Sequence, residues 1–162
     1  MKRKIAIIAN GWYNKGLQDL YKGIYRYAKP RSIDVFMFLT YSQFRESNEY
    51  NKGEFNVYRL PDYRDFDGVI FVPGSLSSGE EAERIRKELV EANISAVSIG
   101  EHLEGLGLVD CDNYDSMKNL CEYLVENCDI NSVAFMAGHR EMMNRILDLL
   151  QPKKFLARQE LN

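Results

Sequence analysis

No stretch of this 162-residue chain approaches the run of about twenty apolar residues that a membrane-crossing helix needs, so no membrane partner is expected. Cysteine is scarce: Cys111, Cys121 and Cys128 form no C-x-x-C pair and have no histidine at ligand spacing. The common zinc patterns are thereby excluded, and no metal is expected. An odd cysteine count fits a reducing compartment, and a cytoplasmic location is expected. Overall basic charge is also lacking. With 21 Lys and Arg against 24 Asp and Glu the net charge is -3, so no direct nucleic-acid contact is expected. The opening Met1-Lys2-Arg3-Lys4 before Ile5 has the basic-then-apolar order of a signal peptide. Its apolar run of about five residues is shorter than the about 7–15 of a signal core, so it reads as a first strand.

What the chain does have is apolar runs separated by helical periodicity. Residues 4–9, KIAIIA, are a compact Ile-rich run of the kind buried on both faces of a sheet. Further strands are predicted over 33–39, 68–72, 94–100, 108–110 and 132–137. Between 17 and 28 the residues Leu17, Leu20, Tyr21, Ile24, Tyr25 and Ala28 recur at three and four, a helical stripe that Pro30 ends. Residues 77–93 read as a charged helix with Ser78 as N-cap, and 114–127 as another. Residues 41–66, polar and aromatic with Gly53 and Pro61, show no clean period and read mostly as loop, with a short helix near 43–50. Strands alternating with helices at about thirty residues per unit imply an α/β fold: a doubly wound, mainly parallel sheet with helices on both faces. In such sheets the ligand crevice lies beyond the carboxyl ends of the strands.

The residues after each strand are therefore the informative ones. After the first come Asn10-Gly11-Trp12-Tyr13-Asn14, which is no G-x-G-x-x-G, and two bulky rings obstruct a phosphate cradle. No nucleotide cofactor is expected. Two aromatics beside two amides suit a sugar-like ligand, although Trp12 is equally suited to packing over the sheet edge. Thr40 and Tyr41 follow the second strand, Ser75 the third, and Glu101-His102 the fourth. No nucleophile elbow or paired-carboxylate arrangement marks a catalytic centre. Asn10 and Gly11 also stand where a phosphoacceptor receiver domain needs acidic residues. Candidate ligand contacts are Trp12, Tyr13, Thr40, Tyr41, Ser75, His102 and Asn113. A second reading is a small α/β enzyme using His102 with Glu101, oriented by Asp112. His102 reads first as a solvated loop residue, and Asp112 or Asn113 first as a cap on the following helix, a role compatible with ligand contact.

The segment Val109-Asp110-Cys111-Asp112-Asn113 resembles the V-x-x-D-N segment of LacI-type regulators, whose sensor domains share the type I periplasmic-binding-protein fold. D-F-D-G-V-I-F-V is similar to that family's V-D-G-I-I, and S-V-A-F-M-A-G to its I-A-F-I-x-G, in the same order along the chain. The resemblance covers Lys4 to Glu141 and implies two lobes joined by a hinge, with a carbohydrate-like ligand held between them. It also implies a homodimer through helix 17–28. Here the first strand begins at the fourth residue, with no helix-turn-helix before it, and the irregular tract around Glu49–Asp65 is similar to sensor halves of signalling proteins such as diguanylate cyclases.

Residues 1–141 are accordingly expected to form the N-terminal lobe, and 142–162 an atypical tail. Where the family continues N-x-x-S-x-x-R, this chain reads Met142-Met143-Asn144-Arg145. One permitted choice of codons, with a single A restored ahead of Met142, reads NDESYLRFAATEKILSKAGIEL. That string contains the family pattern, so the tail reads as out of frame; the other reading is a natural short protein whose last helix is Glu141–Leu150. The function expected of the chain is that of a small-molecule sensing lobe of a bacterial transcriptional or signalling regulator, not of an enzyme.

Overall fold

The computed structural model describes residues 2–11, 13–43 and 48–128, the side chains of residues 48, 113 and 114 excepted. They form two compact units, the first closing at Asp110 and the second beginning at Cys111. The lobe end expected at 141 lies outside the described residues. The tail from 142 and the strand expected over 132–137 lie outside the described residues.

The first unit runs β1 (Lys4–Asn10), α1 (Lys15–Ala28), β2 (Asp34–Thr40), α2 (Asn48–Phe55), β3 (Gly68–Phe71), α3 (Gly79–Glu91), β4 (Ala96–Ile99) and β5 (Gly107–Val109). The five strands make one sheet in the order β2-β1-β3-β4-β5, every pair parallel. In β1 the residues alternate between two cores, as the period of two requires. Ala6 and Ile8 join Val69, Phe71, Ile85 and Leu89 on the α3 face. Ile7 and Ala9 join Tyr21 and Val72, with Leu17, Leu20 and Ile24 of α1 packed against them. Both faces of β1 are covered, which is why its sequence is a continuous apolar run.

Each helix has a local cause. Asn14 caps α1, its side-chain oxygen accepting from the N–H groups of Gly16 at 2.8 Å and Leu17 at 3.4 Å. The helix therefore begins two residues ahead of the apolar stripe. Ser78 caps α3 by accepting from Glu81 N at 3.2 Å. The Glu81 carboxylate is buried and turns to Arg84 at 2.5 Å and Arg59 at 3.4 Å, so its charge is paired rather than stranded.

The tract read as mostly loop is more ordered than its sequence period shows. The short helix is α2, displaced toward the carboxyl side of 43–50, and 3-10 turns follow at Asn56–Arg59 and Tyr63–Asp65. These short pieces deliver Phe55, Tyr58 and Tyr63 into the α3-face core. Burial of three aromatic rings offsets the entropy of ordering a segment with no long helix of its own.

The second unit is described by α4 (Asn113–Asn127), with Asp112 as N-cap accepting from Asp115 N at 3.0 Å. Of the two residues expected as the cap, Asp112 fills the position.

Ile85 is fully buried between α3 and the sheet. Ile85→Ala is expected to cost about 2–5 kcal/mol, measured as a drop in urea midpoint. Lys87→Ala, on the exposed side of the same helix, is expected to stay within about 0.5 kcal/mol.

Candidate functional site

Chain order places a topological switch at the carboxyl ends of β1 and β3. The chain leaves β1 for β2 on one side and returns to β3 on the other, so the loops after β1 and β3 diverge and leave a crevice. Asn10 ends β1 at that point, and its side chain is buried. Its Nδ2 donates to the carbonyls of Ser42 at 2.9 Å and Ser75 at 3.0 Å. Its Oδ1 accepts from Thr40 Oγ1 at 2.8 Å, and its backbone N–H donates to Ser75 Oγ at 2.9 Å. One residue thus fastens the ends of three neighbouring strands.

A second polar layer lies beneath. Tyr58 is fully buried, and its hydroxyl donates to Ala9 O at 2.9 Å and lies 2.6 Å from Thr40 Oγ1. Two hydroxyl protons therefore serve three close oxygen contacts, from Thr40 to Asn10, from Tyr58 to Ala9, and between the two hydroxyls. The protons can fill only two contacts at once, so the arrangement is shared along a chain rather than fixed pair by pair. On the other face Tyr21 donates from its hydroxyl to Gly11 O at 3.2 Å. Gly11 has φ of 87°, the left-handed region that favours glycine, and this lets the chain turn off β1 toward Tyr13.

Burial pushes the Tyr21 phenol up to about 12, with the nearby Tyr41 adding to it. Burial also raises Tyr58 and Tyr63, more strongly. All three phenols are neutral hydrogen-bonding groups across the physiological range.

Tyr13 is 70% exposed and Tyr41 47%, so both rings stand at the rim. Tyr41 is held through its backbone: Glu54 of α2 accepts its N–H at 2.7 Å. Asn51, one turn earlier in α2, accepts from Gln43 N at 3.0 Å and donates to Gln43 O at 2.8 Å. Helix α2 thus sets the path of the loop after β2. Ser75 lies under the crevice, its Oγ donating to Val72 O at 2.7 Å while accepting from Asn10.

The expected contacts thus divide. Tyr13, Tyr41 and Ser75 come to the carboxyl ends of β1, β2 and β3. Thr40 is there too, but it is 0% exposed and its hydroxyl is committed to Asn10 and Tyr58, so it supports the rim from beneath. His102 follows β4 and is exposed, in a turn anchored by Ser98 Oγ donating to Glu101 O at 2.6 Å. Among the described residues no hydrogen bond or ion pair joins His102 to a carboxylate, and Asp112 spends its carboxylate capping α4. Trp12 lies outside the described residues. Asn113 opens α4 in the other unit, and its side chain is not described. The buried tying roles of Asn10 and Tyr58 do not show in the sequence because their partners are distant along the chain.

A groove of about 820 Å³ lies elsewhere, between Arg59–Arg64 and the last turn of α3. It lies toward the amino ends of the strands, and its charges include the Arg64–Asp62 pair. No group of His, Cys, Asp and Glu suited to a metal ion occurs among the described residues.

Comparison with solved structures decides the fold. A LacI-family regulator, CcpA of Weissella paramesenteroides with bound glucose, aligns over 91% of this chain and 53% of its own, at TM-score 0.65 and 13% identity. The fold is one lobe of the periplasmic-binding-protein type. GanP, a glucose-galactose binding protein of Geobacillus stearothermophilus, aligns with this lobe over 97% of the chain and 57% of its own, at TM-score 0.67 and 18% identity. A periplasmic ribose ABC transporter protein of Conexibacter woesei aligns over 96% and 53%, at 0.68 and 14%. The chain spans about half the length of these structures, as a single lobe does. No family model matches the chain, and no curated protein sequence matches it.

Replacing Asn10 by Asp removes the Nδ2 donors and turns a carboxylate oxygen toward the carbonyls of Ser42 and Ser75. Asn10→Asp is expected to cost about 2–4 kcal/mol at neutral pH and to recover in part as acid protonates the new carboxyl; urea midpoints at pH 7 and 5 check both. A second expectation concerns base. Above about pH 10 the unfolded chain gives up phenol protons that folded Tyr21, Tyr58 and Tyr63 retain, so stability is complete below that pH and falls as pH rises beyond it. Denaturant midpoints at pH 9 and 11 measure the fall, and Tyr21→Phe makes it shallower.

Proposed function

We propose that the chain is the ligand-sensing lobe of a bacterial regulator, taking a neutral, sugar-like molecule at the carboxyl ends of β1, β2 and β3, with a second lobe closing over it. The observation that carries this reading is the rim itself: exposed Tyr13 and Tyr41 rings above a hydrogen-bonded network of buried amide and hydroxyl groups. Aromatic faces stack on the apolar faces of a sugar ring, and neutral donors and acceptors meet its hydroxyls. The solved structures of like fold lend support, since their names include glucose, glucose-galactose and ribose.

In this reading Tyr13, Tyr41 and Trp12 supply stacking surface, Ser75 and His102 supply polar contacts, and Thr40 holds the floor; Asn113, in the other unit, is a candidate by its sequence alone. Ligand bridging two lobes favours their closed arrangement and changes what a linked output domain does. The work is done in the cytoplasm, and the output is a transcriptional or signalling domain. The enzyme alternative needs a His102–carboxylate pair, and among the described residues His102 has none.

A two-lobed site of micromolar affinity corresponds to about 8 kcal/mol; half of its contacts leave about 4 kcal/mol, or about millimolar affinity. Trp12, the single tryptophan, comes directly after Gly11 and serves as a fluorescent reporter. Titration with glucose and ribose is expected to give a saturable change at about millimolar sugar that Tyr41→Ala abolishes. Saturation below micromolar by this chain alone, or no response to either sugar, counts against the assignment.

A further inference from the structure

The net charge of -3 conceals an uneven distribution. The first 33 residues hold eight of the 21 Lys and Arg but only Asp19 among the acids. The βαβ path brings these cations together in space. Helix α1 runs back along the sheet, so its end and the turn Lys29–Arg31 lie beside the beginnings of β1 and β2. Asp34 N donates to Arg3 O at 2.8 Å, and Ile33 N to Ala28 O at 3.2 Å, which fixes that neighbourhood. Arg3, Lys4, Arg26, Lys29 and Arg31 have no carboxylate partner among the described residues. Every other described Lys or Arg lies within 4.0 Å of one. The cations left unpaired are therefore gathered at one end of the sheet, around β1 and the end of α1.

Two exposed rings stand among them. Tyr25 is 56% exposed with Lys29 Nζ 5.6 Å from its centroid, and Tyr27 is 60% exposed with the Arg31 guanidinium at 3.8 Å. Lys22, Arg26 and Lys29 recur at four and three along α1, on the side opposite Leu17, Leu20 and Ile24, which pack on the sheet.

We infer that this face, made by the end of α1, the turn after it and the start of β1, binds an acidic segment of a partner protein. Exposed Tyr and Arg together are the residue types that anchor protein interfaces, and unpaired cations are completed by carboxylates. A second copy fits poorly, because in a symmetric pair through α1 the cations Lys22, Arg26 and Lys29 would meet their own kind. Nucleic acid fits less well than protein, because the rest of the chain carries thirteen cations against 23 acids and repels a long polyanion. The inference does not rest on the ligand reading, since it concerns the opposite end of the strands.

The test uses the whole chain and a labelled helical peptide rich in Glu and Leu, read by fluorescence anisotropy, with a single-stranded oligonucleotide of equal charge as counter-probe. The peptide is expected to bind at low salt and weaken as salt is added. The combined substitution Arg26→Gln, Lys29→Gln and Arg31→Gln is expected to weaken it by about tenfold or more, while Lys52→Gln, Lys87→Gln and Lys118→Gln, an equal change of charge elsewhere, leave it within about twofold. Four outcomes overturn the proposal. They are no peptide binding at low salt, equal weakening in both variants, tighter binding of the oligonucleotide, or a homodimer in sedimentation that the first variant dissolves.

Discussion

The carboxamide of Asn10 offers two donor protons and one acceptor oxygen, and the residues after β2 and β3 use all of them. Parallel strands have no hairpins to join their ends, so loops at the carboxyl edge need some other tie to hold them in register. A buried amide with every group satisfied contributes about 1 kcal/mol per hydrogen bond, and loss of one partner leaves the other exposed to a cost of about 1–3 kcal/mol. Neither Leu nor Asp of similar size serves, since the first has no polar atoms and the second lacks donors. The irregular tract between β2 and β3 exists in part to complete this tie. It carries Tyr58, whose hydroxyl reaches both Ala9 O and Thr40, and Tyr63, whose hydroxyl donates to Tyr58 O at 2.8 Å.

Polarity is arranged differently at the two ends of the sheet. At the carboxyl ends Asn10, Thr40 and Ser75 join the strand ends through amide, hydroxyl and backbone carbonyl groups, and the Glu54 carboxylate accepts the Tyr41 N–H at the exposed rim. At the amino ends charge is prominent, with Lys2 bonded to Asp34 at 2.5 Å and Asp67 accepting the Lys4 backbone N–H at 2.7 Å. Neutral groups keep their geometry when ionic strength changes, whereas exposed ion pairs weaken with salt. The floor of the end proposed to hold ligand is thus built from contacts that depend little on the surrounding electrolyte.

The first strand was legible because burial on both faces demands a continuous apolar run, and KIAIIA meets that demand in its plainest form. Helix α3 was legible down to Ser78, since a hydroxyl cap before a glutamate-rich turn has a local signature. The start of α1 was less so, because the apolar stripe that marks the helix opens only at Leu17, three residues beyond the capping Asn14. The 41–66 tract was opaque for a different reason: α2 and its 3-10 turns are too short for a period to show, although Phe55, Tyr58 and Tyr63 bury their rings as a longer helix would. The strand pattern alone was enough to place Tyr13, Tyr41 and Ser75 just beyond the carboxyl ends of β1, β2 and β3. The same pattern included Thr40 without showing that its side chain turns inward. Nor did it show the tying role of Asn10, whose partners lie 30, 32 and 65 residues away in the chain.

The attachment of the loop after β2 carries a last implication. Its path is fixed by Glu54 and Asn51 through main-chain atoms of Tyr41 and Gln43. The identity of the side chain at position 41 does not enter those bonds. A lineage can therefore exchange that aromatic for another residue without rebuilding the framework underneath, and in the proposed reading the molecule preferred changes with it. Drift in selectivity costs little where a rim is carried by its backbone alone.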